Sequence, residues 1–187
     1  FGIRVITSVL TQEIADSIKH LNADRVIVFE KEKTADVLKE ELEAQGFEVE
    51  IHESPMDKIA NLPPEEQMKS IMNAYAAKRP IKELTDKYDL IINVANVKMG
   101  EVVQRMTWNA LKGTPDIPFY VHEVPTIFVS VNYPFHLADV PQVKTYINAY
   151  DGNKGTIEVL VEKMMGKSEF KGIDPVDSYC GLIDTRI

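Results

Sequence analysis

The chain has 187 residues, of which 44% are apolar and 27% charged, and its net charge is −8. Those proportions are ordinary for a globular domain, and a chain of this length buries roughly 70% of its extended surface without a disulfide or metal staple. The acidic balance, with a pI of about 5.1, and the lack of a basic run exclude a dedicated nucleic-acid-binding protein, because phosphate neutralisation needs clustered Lys and Arg. No apolar stretch approaches the roughly 18–20 residues of a membrane span, so no membrane partner is expected. No signal-peptide pattern opens the chain, which favours a cytoplasmic over a secreted location. The single Cys180 excludes an internal disulfide and a Cys-cluster zinc site. The chain begins at Phe1 rather than Met, which points to a chain processed or cut from something longer.

Strand and helix signals alternate along the chain. Residues 3–9 (IRVITSV) are rich in β-branched side chains and read as a strand. Thr11 can cap a helix that carries Ile14, Ile18 and Leu21 on one face. Residues 25–30 (RVIVFE) hold four consecutive apolar residues, the mark of a strand buried on both faces. Thr34 reads as the next N-cap, Val37, Leu38 and Leu42 as its apolar stripe, and Gly46 as its stop. Phe47, Val49 and Ile51 alternate with polar residues, the pattern of a half-exposed strand nearer a sheet edge.

Pro63-Pro64 followed by Glu65-Glu66 opens a helix, because Pro suits the first turn and acids suit its positive end. Met68, Ile71, Met72 and Tyr75 follow at helical spacing, Pro80 stops the run, and Ile81 and Leu84 start a short second helix. Residues 88–95 (YDLIINVA) form a second buried strand. Residues 100–111 read as a helix with Val102, Val103, Met106 and Ala110 inward. Residues 126–131 (TIFVSV) form a third buried strand, and residues 144–150 a further short one. Asp151 or Asn153 starts a last helix with Ile157, Leu160, Val161 and Met164 on one face, and an irregular tail follows from Glu169. The alternation predicts one α/β domain over residues 1–187. Its fold is a three-layer αβα sandwich with a mostly parallel, flavodoxin-like sheet.

Ligands in such sheets bind beyond the carboxyl ends of the strands. GxGxxG and GxxxxGK[ST] are both missing, so no nucleotide or other cofactor is implied. GxSxG is absent too, and Ser130 reads as a small residue packed in a sheet. None of the four histidines has the spacing of a zinc site. His122 precedes the third buried strand, at the far end of the sheet, whereas His136 follows it and reads as a loop-end hydrogen-bonding residue. Glu101 stands just past the second buried strand, where the helix dipole alone accounts for an acid. Asn96, Lys98, Asn132 and Tyr133 complete the polar residues at strand carboxyl ends. With Glu101 and His136 they are candidates for lining a cleft or an interface, against a background in which Asn is simply favoured in turns. No catalytic or metal-binding residue is assigned.

The last third carries a motif series. It runs Pro125-Thr126-Ile127-Phe128-Val129-Ser130-Val131, then Asn132-Tyr133-Pro134-Phe135-His136-Leu137, then Val140-Pro141-Gln142-Val143. Tyr146-Ile147-Asn148-Ala149-Tyr150 follows, then Met164-Met165-Gly166, and finally Phe170-Lys171-Gly172-Ile173-Asp174-Pro175-Val176. This order resembles the C-terminal α/β sandwich domain of glycoside hydrolase family 3, in its β-N-acetylglucosaminidase (β-N-acetylhexosaminidase) branch. Tyr133 stands where the family usually has Asn, His136 where it has Asp, and Asp174 where it has Leu. The family's Asn and Asp support the loop after the strand, so the hydrogen bonding of that loop is an open question here.

The resemblance implies an N-terminal (β/α)8 barrel in the same polypeptide as the domain's partner. That barrel carries the catalytic Asp and, in this branch, a His–Asp acid/base pair. In the β-glucosidase branch the acid/base Glu comes instead from the sandwich domain, on a loop in roughly the region of Glu101. Residues 96–100 are too short to deliver such a Glu, so that role is not carried over. The expectation is a non-catalytic domain whose parent enzyme acts on N-acetylglucosamine-containing, cell-wall sugars. A stand-alone binding module for a small ligand or a protein is the main competing reading, and a flavodoxin-like nucleotide enzyme the weakest.

Overall fold

The computed structural model describes residues 4–7, 23–29, 34–52, 55–76, 81–96, 120–140 and 142–181. Its six strands form one sheet in the order β1-β6-β5-β4-β2-β3. They are β1 (Arg4–Thr7), β2 (Arg25–Phe29), β3 (Glu48–Ile51), β4 (Leu90–Asn96), β5 (Thr126–Val131) and β6 (Thr145–Asn148). Every pairing is parallel except that of β1, which runs antiparallel to β6 at one edge. The described helices are α1 (Thr34–Glu43), α2 (Pro55–Ala60), α3 (Pro64–Ala76), α4 (Lys82–Thr85) and α5 (Lys154–Met164), with a 3-10 turn at His136–Asp139. None of them is long and apolar enough to cross a membrane.

The apolar runs of β2, β4 and β5 explain why these strands lie centrally. Both faces of each are covered, so successive side chains enter two different cores. On one face Val26, Val28, Leu90, Ile92, Val94, Ile127 and Val129 pack with Leu38 and Leu42 of α1 and with Ile157, Leu160, Val161 and Met164 of α5. On the other, Ile27, Ile91, Ala95, Phe128 and Tyr146 pack with Tyr120, Val121, Val124, Leu137 and Val140, and with Ile81 and Leu84 around α4. Phe128 and Tyr146, opposite each other on neighbouring strands, stack at 5.5 Å. Within the second core Asn93 Nδ2 donates to the buried Tyr120 hydroxyl at 2.9 Å.

Local signals resolve in detail. Asn153, not Asp151, caps α5, its Oδ1 accepting from Thr156 N at 3.0 Å, while Asp151 Oδ1 in turn accepts from Asn153 N. Thr34 belongs to the first turn of α1, and its hydroxyl serves a different element, described below. Gly46 ends the α1 turn at φ 96°, a conformation that favours glycine. β3 lies at the sheet edge with Val49 buried between exposed Glu48 and Glu50. The helix predicted from Pro63-Pro64 forms as α3, but Met68 and Met72 on its apolar stripe remain 67% and 62% exposed. The helices expected after Thr11 and over 100–111 lie outside the described residues.

The amino ends of β2 and β4 are fastened by one ion pair. Asp89 takes Arg25 Nη2 on Oδ1 at 2.9 Å and Arg25 Nε on Oδ2 at 3.2 Å. The same Oδ2 accepts the backbone N–H of Arg25 at 2.9 Å. These bonds, the Arg25 side chain's first, hold the Asp89 carboxyl below its usual range. A depressed folded-state pKa stabilises the fold at every pH above the unfolded value of about 3.9, and that contribution is lost as pH falls through the folded value. Asp89→Asn is therefore expected to lower the thermal midpoint at neutral pH. The gap from wild type should narrow as pH falls through the depressed folded-state value and close below it, where both chains carry a neutral side chain.

Candidate functional site

Of the two adjacent strands β2 and β4, the first is followed in the chain by β3 on one side and the second by β5 on the other. The crevice beyond the carboxyl ends of β2 and β4 is thus the topological switch point, the place where open α/β sheets bind ligands. Thr34, after β2, and Asn96, at the end of β4, bridge it: Asn96 Nδ2 donates to Thr34 Oγ1 at 2.8 Å. Asn132, just past β5, extends the line by donating from Nδ2 to Asn96 Oδ1 at 2.5 Å. Gly152, beyond β6, closes it from behind. A Cβ there would stand 3.4 Å from Thr34 Oγ1 and 3.5 Å from Val131 Cγ2. The result is an uncharged polar ledge contributed by the ends of three strands and a helix start.

Beside the ledge the chain turns sharply. Asn132 adopts φ 71°, and Tyr133 N donates back to Val131 O at 3.0 Å, closing a three-residue γ-turn with its centre at positive φ. Such a turn is rare and strained for a residue with a side chain, so something must hold it. Ser130 does. Its Oγ donates to Tyr133 O at 2.5 Å and lies 2.6 Å from His136 Nδ1. A carbonyl oxygen can only accept, so the single Ser130 proton goes to Tyr133 and His136 Nδ1 donates to Oγ. His136 therefore carries a proton on Nδ1. Ser130 and His136 are both buried, 1% and 0% exposed. Ser130 packs within the buried β5, and its hydroxyl is in addition the anchor of the loop. Burial pushes the neighbouring Tyr146 phenol up.

The irregular tail completes this end. Asp174, 3% exposed, accepts from Asn148 Nδ2 and from Val176 N, both at 2.9 Å, and from the Tyr150 hydroxyl. Farther on, Tyr179 OH donates to Leu137 O at 3.1 Å and Ser178 Oγ to Pro134 O at 3.5 Å. The tail thus straps the 132–140 loop from outside while Ser130 holds it from inside. Cys180 stands exposed at φ 52° within the last turn.

Of the sequence-derived candidates, Asn96 and Asn132 touch each other, and Tyr133 and His136 share the next loop, their rings 5.4 Å apart. His136 faces inward and Tyr133 is half-buried. Lys98 and Glu101 lie outside the described residues. His122 and Glu123 are exposed in the turn before β5, at the opposite end of the sheet. Sequence reasoning missed Thr34, Ser130 and Asn148 as members of the network. The signal was present as polar residues inside or against buried strand runs, where each must find a partner. Among the described residues no group of three or more His, Cys, Asp or Glu could hold a metal ion.

Removing the anchor should be costly. Ser130→Ala strands the buried His136 Nδ1–H and the Tyr133 carbonyl, so a loss of about 2–4 kcal/mol is expected. In urea denaturation the midpoint should fall with the slope unchanged. Asp174→Ala should act more locally, raising the hydrogen-exchange rates of residues 174–181 well before those of β5.

No protein-family model matches the chain. The curated β-N-acetylglucosaminidase/β-glucosidase of Cellulomonas fimi is 40% identical over 110 residues, which is 58% of this chain and 19% of that protein. The solved β-glucoside phosphorylase BglX superposes with a TM-score of 0.72 at 32% identity, over 99% of this chain and 31% of its own. The glycoside hydrolase family 3 β-N-acetylglucosaminidase from Paenibacillus sp. str. FPU-7 shares the fold, with a TM-score of 0.56 at 18% identity, over 94% of this chain and 30% of its own. The chain thus spans about a third or less of the length of the relatives it matches. Its homologues and structural neighbours are glycoside hydrolase family 3 proteins.

Proposed function

We propose that this chain is the non-catalytic C-terminal sandwich domain of a longer glycoside hydrolase family 3 polypeptide, and that the carboxyl ends of its strands border the sugar cleft. Glycoside hydrolysis uses two carboxyl groups flanking the scissile bond. The observation that carries the reading is that, among the described residues at this end, Asp174 and Asp151 are already committed, while Asp36 stands exposed in the first turn of α1, where the helix dipole accounts for an acid. Asp174 is buried under three donors, and Asp151 is bound to Asn153. The ledge itself is neutral, made of Thr34, Asn96 and Asn132. Such groups suit contact with sugar hydroxyls or with the surface of an adjoining barrel rather than bond cleavage. A β-N-acetylglucosaminide is the substrate we assign to the parent enzyme, in line with the name of the Cellulomonas fimi relative.

The match to a β-glucoside phosphorylase over 99% of the chain favours one further reading, in which the parent transfers the glycosyl group to phosphate instead of water. Both readings leave this chain without turnover of its own. The purified 187-residue chain should release no nitrophenol from p-nitrophenyl N-acetyl-β-glucosaminide, while the longer polypeptide does. Turnover by the isolated chain would sink the proposal. In phosphate buffer the longer polypeptide yields free sugar if it hydrolyses and a sugar 1-phosphate if it phosphorolyses, and chromatography of the products separates the two.

A further inference from the structure

We infer that Tyr133 and Phe135 form an aromatic platform for the sugar ring on the leaving-group side of the glycoside. This rests on the reading of the carboxyl end as the border of the cleft. The two rings meet at 5.0 Å with a 58° tilt. Phe135 is 39% exposed, although the next two residues, His136 and Leu137, are buried. The Tyr133 hydroxyl makes no hydrogen bond among the described residues.

The support beneath the rings is rigid. The γ-turn at Asn132 and the Ser130 hydroxyl fix both backbone polar groups of Tyr133. Asn148, Ser178 and Tyr179 fix the carbonyls of Pro134 and Leu137. A strained positive φ at Asn132, held by this many bonds, is the kind of local strain that accumulates at ligand sites. Exposed aromatic rings on a preorganised loop lose little side-chain freedom when a ligand docks.

The neighbouring groups select the ligand class. A pyranose ring offers an apolar C–H face and a rim of hydroxyls that both donate and accept. Aromatic rings bury the first, and uncharged amides and hydroxyls match the second. Asn132 Oδ1, the second Asn96 Nδ2 proton and the Thr34 hydroxyl proton have no partner among the described residues. With no charged side chain among Thr34, Asn96, Asn132, Tyr133 and Phe135, the surface fits a neutral sugar better than an anion.

The test uses the longer polypeptide with two substrates that share a glycon, one with a sugar as leaving group and one with a methyl group. Tyr133→Ala and Phe135→Ala should each raise KM for the disaccharide roughly three- to tenfold, the size of a lost ring contact. KM and kcat for the methyl glycoside should not move, nor should the thermal midpoint. Tyr133→Phe keeps the ring and should keep the wild-type KM. If an alanine variant unfolds, Phe135→Leu, of similar bulk without a ring, should give the same rise. Equal changes on both substrates, no change on the disaccharide, or a Tyr133→Phe as impaired as Tyr133→Ala would overturn the platform. Asn96→Ala is run alongside. If it weakens both substrates while the ring variants are silent, the platform falls and the cleft reading stands. If every variant is silent, both fall.

Discussion

The Ser130 hydroxyl is the contact on which the carboxyl end of the sheet depends. Parallel strands deliver their ends to one side of the molecule but leave each following loop to find its own partners. Ser130 lies in the fully buried β5, so its hydroxyl must be satisfied. It is satisfied twice, by the carbonyl of Tyr133 and by His136 Nδ1. That pair of bonds stabilises the strained turn at Asn132. The turn presents the Asn132 amide to Asn96, and Asn96 reaches Thr34 across the switch point. A single hydroxyl thereby links the ends of β5, β4 and the start of α1.

The two ends of the sheet are held by different physics. At the amino end, the Arg25–Asp89 pair is ionic, partly exposed and sensitive to acid. At the carboxyl end the Ser130 network is largely neutral and buried, with Asp174 as its one buried carboxylate. The division has a functional consequence. A charged latch tolerates water around it, whereas the buried network holds the loop in one shape through hydrogen bonds among groups shielded from solvent. A surface that borders a reaction centre without taking part in the chemistry needs that fixed shape.

Much of the fold was legible because burial on both faces writes itself as an apolar run. β2, β4 and β5 were read from four to six such residues, and α1 and α5 from the 3.6-residue period of Leu38, Leu42, Ile157, Leu160 and Met164. The candidate site was legible only as positions. Asn96, Asn132, Tyr133 and His136 could be placed at strand ends, but not joined. Their bonds depend on strand register and on a tail that returns from residue 174 to residue 148, a separation that local patterns do not encode. Ser130 was placed in the sheet, but its role as an anchor was hidden for the same reason, since its partners lie in a loop that folds back. The stripe of α3 shows the converse limit. Period predicts that Met68 and Met72 share a face but carries no information on what covers it.

The account's central claim is that this chain shapes a glycoside cleft and leaves the bond cleavage to residues elsewhere in a longer polypeptide. The most direct measurement is a crystal structure of that polypeptide with an uncleavable thio-disaccharide bound. The account predicts the leaving-group ring against residues 132–135, with no carboxylate of this chain within hydrogen-bond reach of the glycosidic sulfur. A ligand that never touches the carboxyl ends of the strands would contradict it, and so would Glu101 standing on the scissile bond as its acid.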